Sequence, residues 1–331
     1  MKQVRIKFVG MGAGYDIKDN IFVNAIRNKY EIIYDDVNPE YIICSMSGRP
    51  FEYLGYSGVR IFYSGENISP DFNYVDYAIG YDKLVYSDRF CRNPKILGVG
   101  KKDDLAALLV HPKLTKENLK DKKGFCNFIY SHDRDDYKRK KIFEVLNNYK
   151  RVDSLGTYLN NMEDGLHVSM ENKLQYQEKY KFTIAFDSVD LDGFVTEKIA
   201  DSFIARTIPI YLGDPSICDI YNKKAFINCS EYSNLEEVLQ RVIYLDQNDK
   251  EYLDMINEPV YAEGFDPMQM FDNFNNFINN IFAQEQEKAY RRPMGPSKDI
   301  CGALCQYENH LKFYSKIYDN VLVRILHKIK K

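Results

Sequence analysis

The stretch with the most chemical content is Thr196-Glu197-Lys198, set between two apolar runs, Phe182 to Phe186 and Ile208 to Leu212. The first run leads into a turn rich in Asp and Gly, and the second ends in Gly213-Asp214-Pro215. This pattern reads as strand, loop, helix, strand, with charge at the helix start. The first turn of such a helix offers free backbone N–H groups and the positive end of the helix dipole, which together suit a phosphate. Lys198 adds a formal charge there, and Glu197 can accept hydrogen bonds from a ribose. Thr and Glu are also ordinary capping residues at a helix start, and both uses can hold at once.

Two further positions carry chemistry. Glu66, in Ser64-Gly65-Glu66-Asn67, follows the apolar run 59–63. A carboxylate just beyond a strand's C-terminal end lies where α/β folds put their ligands. Taken alone it reads as a surface or capping carboxylate. Arg139 lies in the basic cluster Lys138 to Lys141, which by composition is a solvated helix face. Gly10-x-Gly12-x-Gly14 approaches a dinucleotide fingerprint, but Tyr15 stands where its last glycine belongs, so a turn is the favoured reading.

The elements that must position these residues come in two series. Short apolar strands are expected at 4–9, 30–34, 41–46, 59–63 and 77–80, with a helix at 20–29. The pattern weakens from 82 to 123, and 112–123 reads as a linker or surface excursion. A second series has strands at 125–130, 152–155, 182–186, 208–212 and 225–228, with helices at 135–149, 171–179, 234–245 and 268–283. Strands alternating with helices predict an α/β protein, doubly wound.

Composition narrows the class. The 331 residues carry a formal net charge of −3, against a general nucleic-acid binder. A 45% hydrophobic and 28% charged chain can bury a sizeable core. The aromatics, 27 Tyr and 20 Phe without Trp, read as core and surface filler rather than a carbohydrate platform. Seven scattered Cys without a CxxC pair predict free thiols and no metal site. The sequence has no apolar run long enough to span a membrane and no signal-peptide core, so a cytoplasmic protein is expected. The tail from Leu311 to Lys331 is basic, with Leu311, Tyr314, Tyr318, Val321, Leu322, Ile325 and Ile329 on one helical stripe. It reads as a helix packed on its domain, with peripheral contact to the inner membrane left open.

The 182–215 segment resembles the α1,3/4-fucosyltransferases. Their hallmark runs Phe-Glu-Asn-Ser, then Tyr-(Val/Ile)-Thr-Glu-Lys, then Ile-Pro-(Ile/Val)-Tyr-Trp-Gly-x-Pro. Val195-Thr196-Glu197-Lys198 matches it, as do Thr207 to Tyr211 with Gly213 and Pro215. The segment departs from it at Asp187-Ser188, Phe194 and Leu212. Phe62 to Asn67, with Pro70, Phe72, Asn73 and Asp76 to Gly80, is similar to the N-terminal block of the bacterial members.

The resemblance implies the GT-B architecture: two Rossmann-like domains facing across a cleft, with a C-terminal helical tail. The expected divisions are an acceptor domain at 1–115, a GDP-sugar domain at 116–290 and a tail at 291–331. It implies an inverting transfer of L-fucose from GDP-fucose, with Glu66 as general base. Arg139 and Lys198 would meet the diphosphate, since a guanidinium fork matches phosphate oxygens. Glu197 would meet the ribose. Asp187 and Ser188 would lie near the sugar, and Phe194, Val195 and Thr196 complete the donor-binding set. No metal is required, and Mn or Mg stimulation is left open. The implied acceptor is an N-acetyllactosamine-like glycan, through O3 of GlcNAc, or a lipopolysaccharide or capsule intermediate, as in Lewis-antigen or other surface-glycan synthesis. Three alternatives stand beside it: a transferase using another nucleotide-linked 6-deoxyhexose, a sugar-nucleotide-binding protein without turnover, and a nucleic-acid or membrane scaffold, for which the −3 charge gives little encouragement outside the tail.

Overall fold

A computed structural model describes residues 1–93, 97, 105, 108–110, 112–132, 137–169, 172–294, 303–318 and 320. Its strands are β1 (Lys2–Val9), β2 (Tyr30–Tyr34), β3 (Tyr41–Cys44), β4 (Val59–Tyr63), β5 (Tyr77–Gly80), β6 (Phe90–Arg92), β7 (Gly124–Phe128), β8 (Val152–Ser154), β9 (Tyr180–Phe186), β10 (Ile208–Leu212) and β11 (Ile227–Asn228). Its helices are α1 (Ile21–Ile26), α2 (Lys138–Tyr149), α3 (Lys173–Gln177), α4 (Glu197–Ile204), α5 (Leu235–Gln247), α6 (Asp249–Ile256), α7 (Pro267–Ala283), α8 (Gln286–Ala289) and α9 (Ala303–Ile317). Among the described residues, no helix is long and apolar enough to cross a membrane.

The chain divides into two compact units, residues 1–93 with 271–331, and residues 94–270. The first unit holds a six-stranded sheet in the order β2-β1-β3-β4-β5-β6, and every pairing is parallel. Strands β3 and β4 are buried along their whole length, as parallel strands covered on both faces must be. This is why β3 reads as an unbroken apolar run and β4 as one interrupted only by Arg60, which is itself buried.

The second unit holds a five-stranded parallel sheet in the order β11-β10-β9-β7-β8. Its core gathers Phe125, Phe128, Phe182, Ile184, Ile208 and Ile210 from the strands with Ile142 and Leu146 from α2. In both sheets the first strand lies between the second and third. The chain therefore winds outward in opposite directions from one point, leaving a crevice at the C-terminal strand ends.

The expected domain boundaries need correction. The first unit ends after Asn93, not at 115, and the chain from Phe271 returns to it rather than closing the second domain at 290. Burial gives the reason. Phe274, Ile278, Ile281 and Phe282 of α7 are at most 1% exposed, in one core cluster with Val4, Ile6, Ile43 and Ile61. Each such side chain contributes about 1.5–3 kcal/mol by leaving water, and helical periodicity cannot say which sheet receives it.

A buried ion pair fastens the same segment. Arg292 pairs with Asp76 while the Arg291 and Arg292 amides donate to Asp76 Oδ1 at 2.7 and 2.9 Å. The described part of the expected tail helix, α9, buries Leu311 in the first unit's core and sets Tyr314 against Phe51. Val321, Leu322, Ile325 and Ile329 lie outside the described residues. Sequence reading also missed β6 and α6.

Candidate active site

The chemistry-bearing residues of the second unit meet where β9 ends. Asp187 follows Phe186 directly, extends the ladder by donating its N–H to Leu212 O at 2.8 Å, and is 3% exposed. Its Oδ1 accepts a short hydrogen bond from Thr196 Oγ1, and its Oδ2 accepts from the Tyr211 hydroxyl at 2.9 Å. Burial pushes its carboxyl up to about 6, against the opposing pull of the Lys198 ammonium and these hydroxyl bonds.

Thr196 is the residue before α4. Its hydroxyl is committed to Asp187 and caps no helix amide. Lys198 in the first turn donates to Thr196 Oγ1 at 3.1 Å. Glu197 Oε1 stands 3.6 Å from the Lys198 ammonium and 3.9 Å from that of Lys173. Beneath it, Lys173 forms a buried pair with Asp201 at 2.6 Å. The far end of α4 is held by Lys122, whose ammonium donates to the carbonyls of Ala205 at 3.4 Å and Arg206 at 2.6 Å. A cation at a helix C-terminus is favourable. Burial there pushes the Lys122 amine down to about 8.

Arg139 lies in the first turn of α2 and is 1% exposed, not on a solvated face as composition suggested. Its guanidinium carbon stands 4.4 Å from the centre of the Tyr130 ring. Its NH1 and NH2 groups donate to His132 O and Phe186 O, each at 3.3 Å. A desolvated cation–π contact of this kind is worth about 2 kcal/mol. Arg139 and Asp187 are thus tied to adjacent residues at the end of β9.

The remaining positions divide by exposure. Ser188 is partly buried beside Asp187. Phe194 and Val195 are 1% and 0% exposed and pack inside the loop before α4. In the first unit, Glu66 is exposed just after β4. Its loop is fixed by Ser64, whose hydroxyl donates to Glu66 O at 2.6 Å and accepts from Glu66 N at 3.0 Å. Among the described residues, no group of three or more His, Cys, Asp or Glu could hold a metal ion.

Sequence reading gave no role to Tyr130, Lys173, Asp201 or Tyr211. Tyr211 was visible inside the Ile-Pro-Ile-Tyr block, but a tyrosine in an apolar strand reads as core until its hydroxyl finds a partner.

Two parallel α/β sheets, the second with basic and acidic side chains grouped at its strand ends, define a GT-B protein. A solved α1,3-fucosyltransferase with GDP-fucose shares the fold, with a TM-score of 0.65, 24% identity, and 85% of this chain and 92% of that chain covered. Models of the alpha-(1,3)-fucosyltransferase FucT N-terminal domain and of the glycosyltransferase family 10 (fucosyltransferase) C-terminal region match residues 6–97 and 119–257. The chain belongs to this fucosyltransferase family.

Helicobacter pylori alpha-(1,3)-fucosyltransferase FucT is 30% identical over 299 residues, which are 80% of this chain and 60% of that protein. A chicken (Gallus gallus) GDP-fucose protein O-fucosyltransferase 3 is 32% identical over 127 residues, 36% of this chain and 26% of that protein. The chain therefore spans less than two thirds of the length of these relatives.

Proposed function

We propose that this chain is an inverting fucosyltransferase that moves L-fucose from GDP-fucose to a glycan hydroxyl. The observation that carries the reading is the grouping of Arg139, Glu197 and Lys198 around the end of β9, in a chain of this family. The similarity to an H. pylori alpha-(1,3)-fucosyltransferase supports fucose as the sugar and a 3-hydroxyl as its target, and the acceptor we propose is O3 of GlcNAc in an N-acetyllactosamine-like glycan.

In the proposed reaction the acceptor oxygen forms a bond to the anomeric carbon as the bond from that carbon to the diphosphate breaks. The bonding pair leaves with GDP. Glu66 takes the acceptor's proton, and its position on a loop held by Ser64 suits a base that must stay accessible. Arg139 and Lys198 offset the charge growing on the diphosphate, the largest electrostatic demand of the reaction. Their charge lets the scheme run without a metal, which turnover in EDTA against added Mn or Mg would check. Glu197 accepts from the ribose. Asp187, one carbon shorter than the family's Glu, and Phe194, which lacks the family's hydroxyl, leave room for a different 6-deoxyhexose.

The test is GDP release from GDP-fucose, with and without N-acetyllactosamine, in wild type and Glu66→Ala. Acceptor-dependent release that falls by about a hundredfold or more in the variant is the expected result. Release without donor discrimination, or binding of another nucleotide-linked 6-deoxyhexose in preference to GDP-fucose, would replace the donor assignment. Tight donor binding with no turnover on any acceptor would favour a binding protein.

A further inference from the structure

We infer that Tyr211 is a positioning residue of the donor site: its hydroxyl orients Asp187, which through Thr196 sets where the Lys198 ammonium stands. What Lys198 then does rests on the fucosyl-transfer reading above; the positioning is a property of the folded chain alone.

The hydrogen bonds run in one direction. Tyr211 is fully buried in β10, and its hydroxyl oxygen accepts the Asp214 N–H at 2.8 Å. An amide can only donate, so the hydroxyl's single proton is left for Asp187 Oδ2, 2.9 Å away. The other carboxylate oxygen takes the Thr196 hydroxyl proton. With that proton spent, Thr196 Oγ1 is an acceptor, and it faces the Lys198 ammonium at 3.1 Å. With Asp187 ionised, every donor along the path from strand to ammonium is assigned by these partners.

The packing holds the path in register. Gly213 closes the loop after β10 directly over it. A Cβ there would stand 2.5 Å from the Tyr211 hydroxyl and 2.8 Å from Asp187 Oδ2. The Tyr211 ring packs edge-on against Phe226 with centroids 6.0 Å apart. Tyr211→Phe therefore keeps the volume and the ring contact while deleting only the hydroxyl. Among the described residues, the charged and titratable groups that act on Asp187 are Lys198 and Glu197 of α4 and Tyr211 of β10, and Asp187 in turn acts on Tyr221. Lys198 is the cation among those acting on it.

Competitive acetylation of Lys198, read by peptide mass spectrometry with the exposed Lys179 as internal standard, tests the placement without any donor. Tyr211→Phe and Thr196→Val should each raise the relative Lys198 rate about threefold or more, as expected for losing one hydrogen bond of ordinary strength. Thr196→Ser, which keeps the hydroxyl, should restore the wild-type rate. In turnover of GDP-fucose, Tyr211→Phe should lower kcat about tenfold with little change in donor KM, as when charge stabilisation is lost in the transition state only.

A Lys198 rate unchanged in both variants would overturn the inference, as would a Thr196→Ser rate no better than that of Thr196→Val. If Tyr211→Phe does not fold, the Thr196 pair carries the decision by the same criterion. Raised Lys198 rates in the variants, together with a wild-type protein that binds no GDP-fucose, would sink the donor reading and leave the positioning intact.

Discussion

The two sheets share one winding, with the first strand between the second and third, yet their crevices are filled in different ways. In the first unit, backbone fills the space between the ends of β1 and β3. Gly10 stands against the Ser45 carbonyl so closely that a Cβ would come within 2.0 Å of its oxygen, and Gly48 donates its N–H to Gly10 O at 2.7 Å. In the second unit, side chains gather instead around the end of β9, on its β7 side and on its β10 side. Tyr130 carries the Arg139 guanidinium, and Asp187 leads through Thr196 to Lys198. The first unit's catalytic candidate, Glu66, follows β4 instead. Topology makes a crevice in each unit, and local residue size decides whether that crevice can offer charge to a ligand.

The contrast would break most visibly at Lys198. If the second crevice is the charged one that matters, Lys198→Met should lower kcat by about 10²–10³-fold in steady-state transfer assays, the loss seen when one preorganised charge stabiliser is removed. Near wild-type turnover would leave the two crevices equivalent.

A pH experiment sharpens the comparison. Burial holds the Asp187 carboxyl at about 6 in the folded protein, against an ordinary 3.8. Between these values the folded state keeps a proton that the unfolded chain has released. Stability should therefore fall as pH rises from about 4 to about 6 and stay level above, by up to roughly 3 kcal/mol. Asp187→Asn should lack this decline, and urea midpoints of the two proteins across that range would measure the difference. Parallel profiles would mean that the carboxylate is better solvated than its burial indicates.

The smallest effect belongs to the first crevice. Gly10 has φ +65°, a region that favours glycine, and no space for a side chain. Gly10→Ala should cost roughly 1–3 kcal/mol of stability, seen as a lower Tm, while donor affinity measured by calorimetry stays at the wild-type value. A weakened donor with unchanged stability would assign binding to the backbone-filled crevice.

Much of the fold was legible because buried parallel strands are rich in apolar residues: β3 and β10 are nearly continuous apolar runs, β4, β7 and β9 are broken by only one or two polar residues, and β1 alternates Val4, Ile6 and Phe8 with Arg5 and Lys7. The helix start at Thr196-Glu197-Lys198 was legible because the residue types that favour a helix start lie within a single turn, although the Thr196 hydroxyl itself goes to Asp187 and caps no amide. β6 was missed because three partly buried residues make no pattern. Arg139 read as solvated because its neighbours Lys138, Lys140 and Lys141 dominate the local composition, while Tyr130, the ring beneath it, lies outside its helix.

The sequence by itself determined the apolar runs, the charged helix start and the motif blocks that mark the family. All of these depend on residues within a few positions of one another. Tertiary structure alone decided that the chain from Phe271 covers the first sheet, that Arg139 is buried, and that Tyr211 meets Asp187 across 24 residues of chain. Those outcomes depend on which strands become neighbours and in what register. β9 and β10 pair Phe186 with Leu212, and that one alignment brings the Tyr211 hydroxyl to the Asp187 carboxylate. Local spacing cannot encode such a meeting, because it exists only once the sheet has formed.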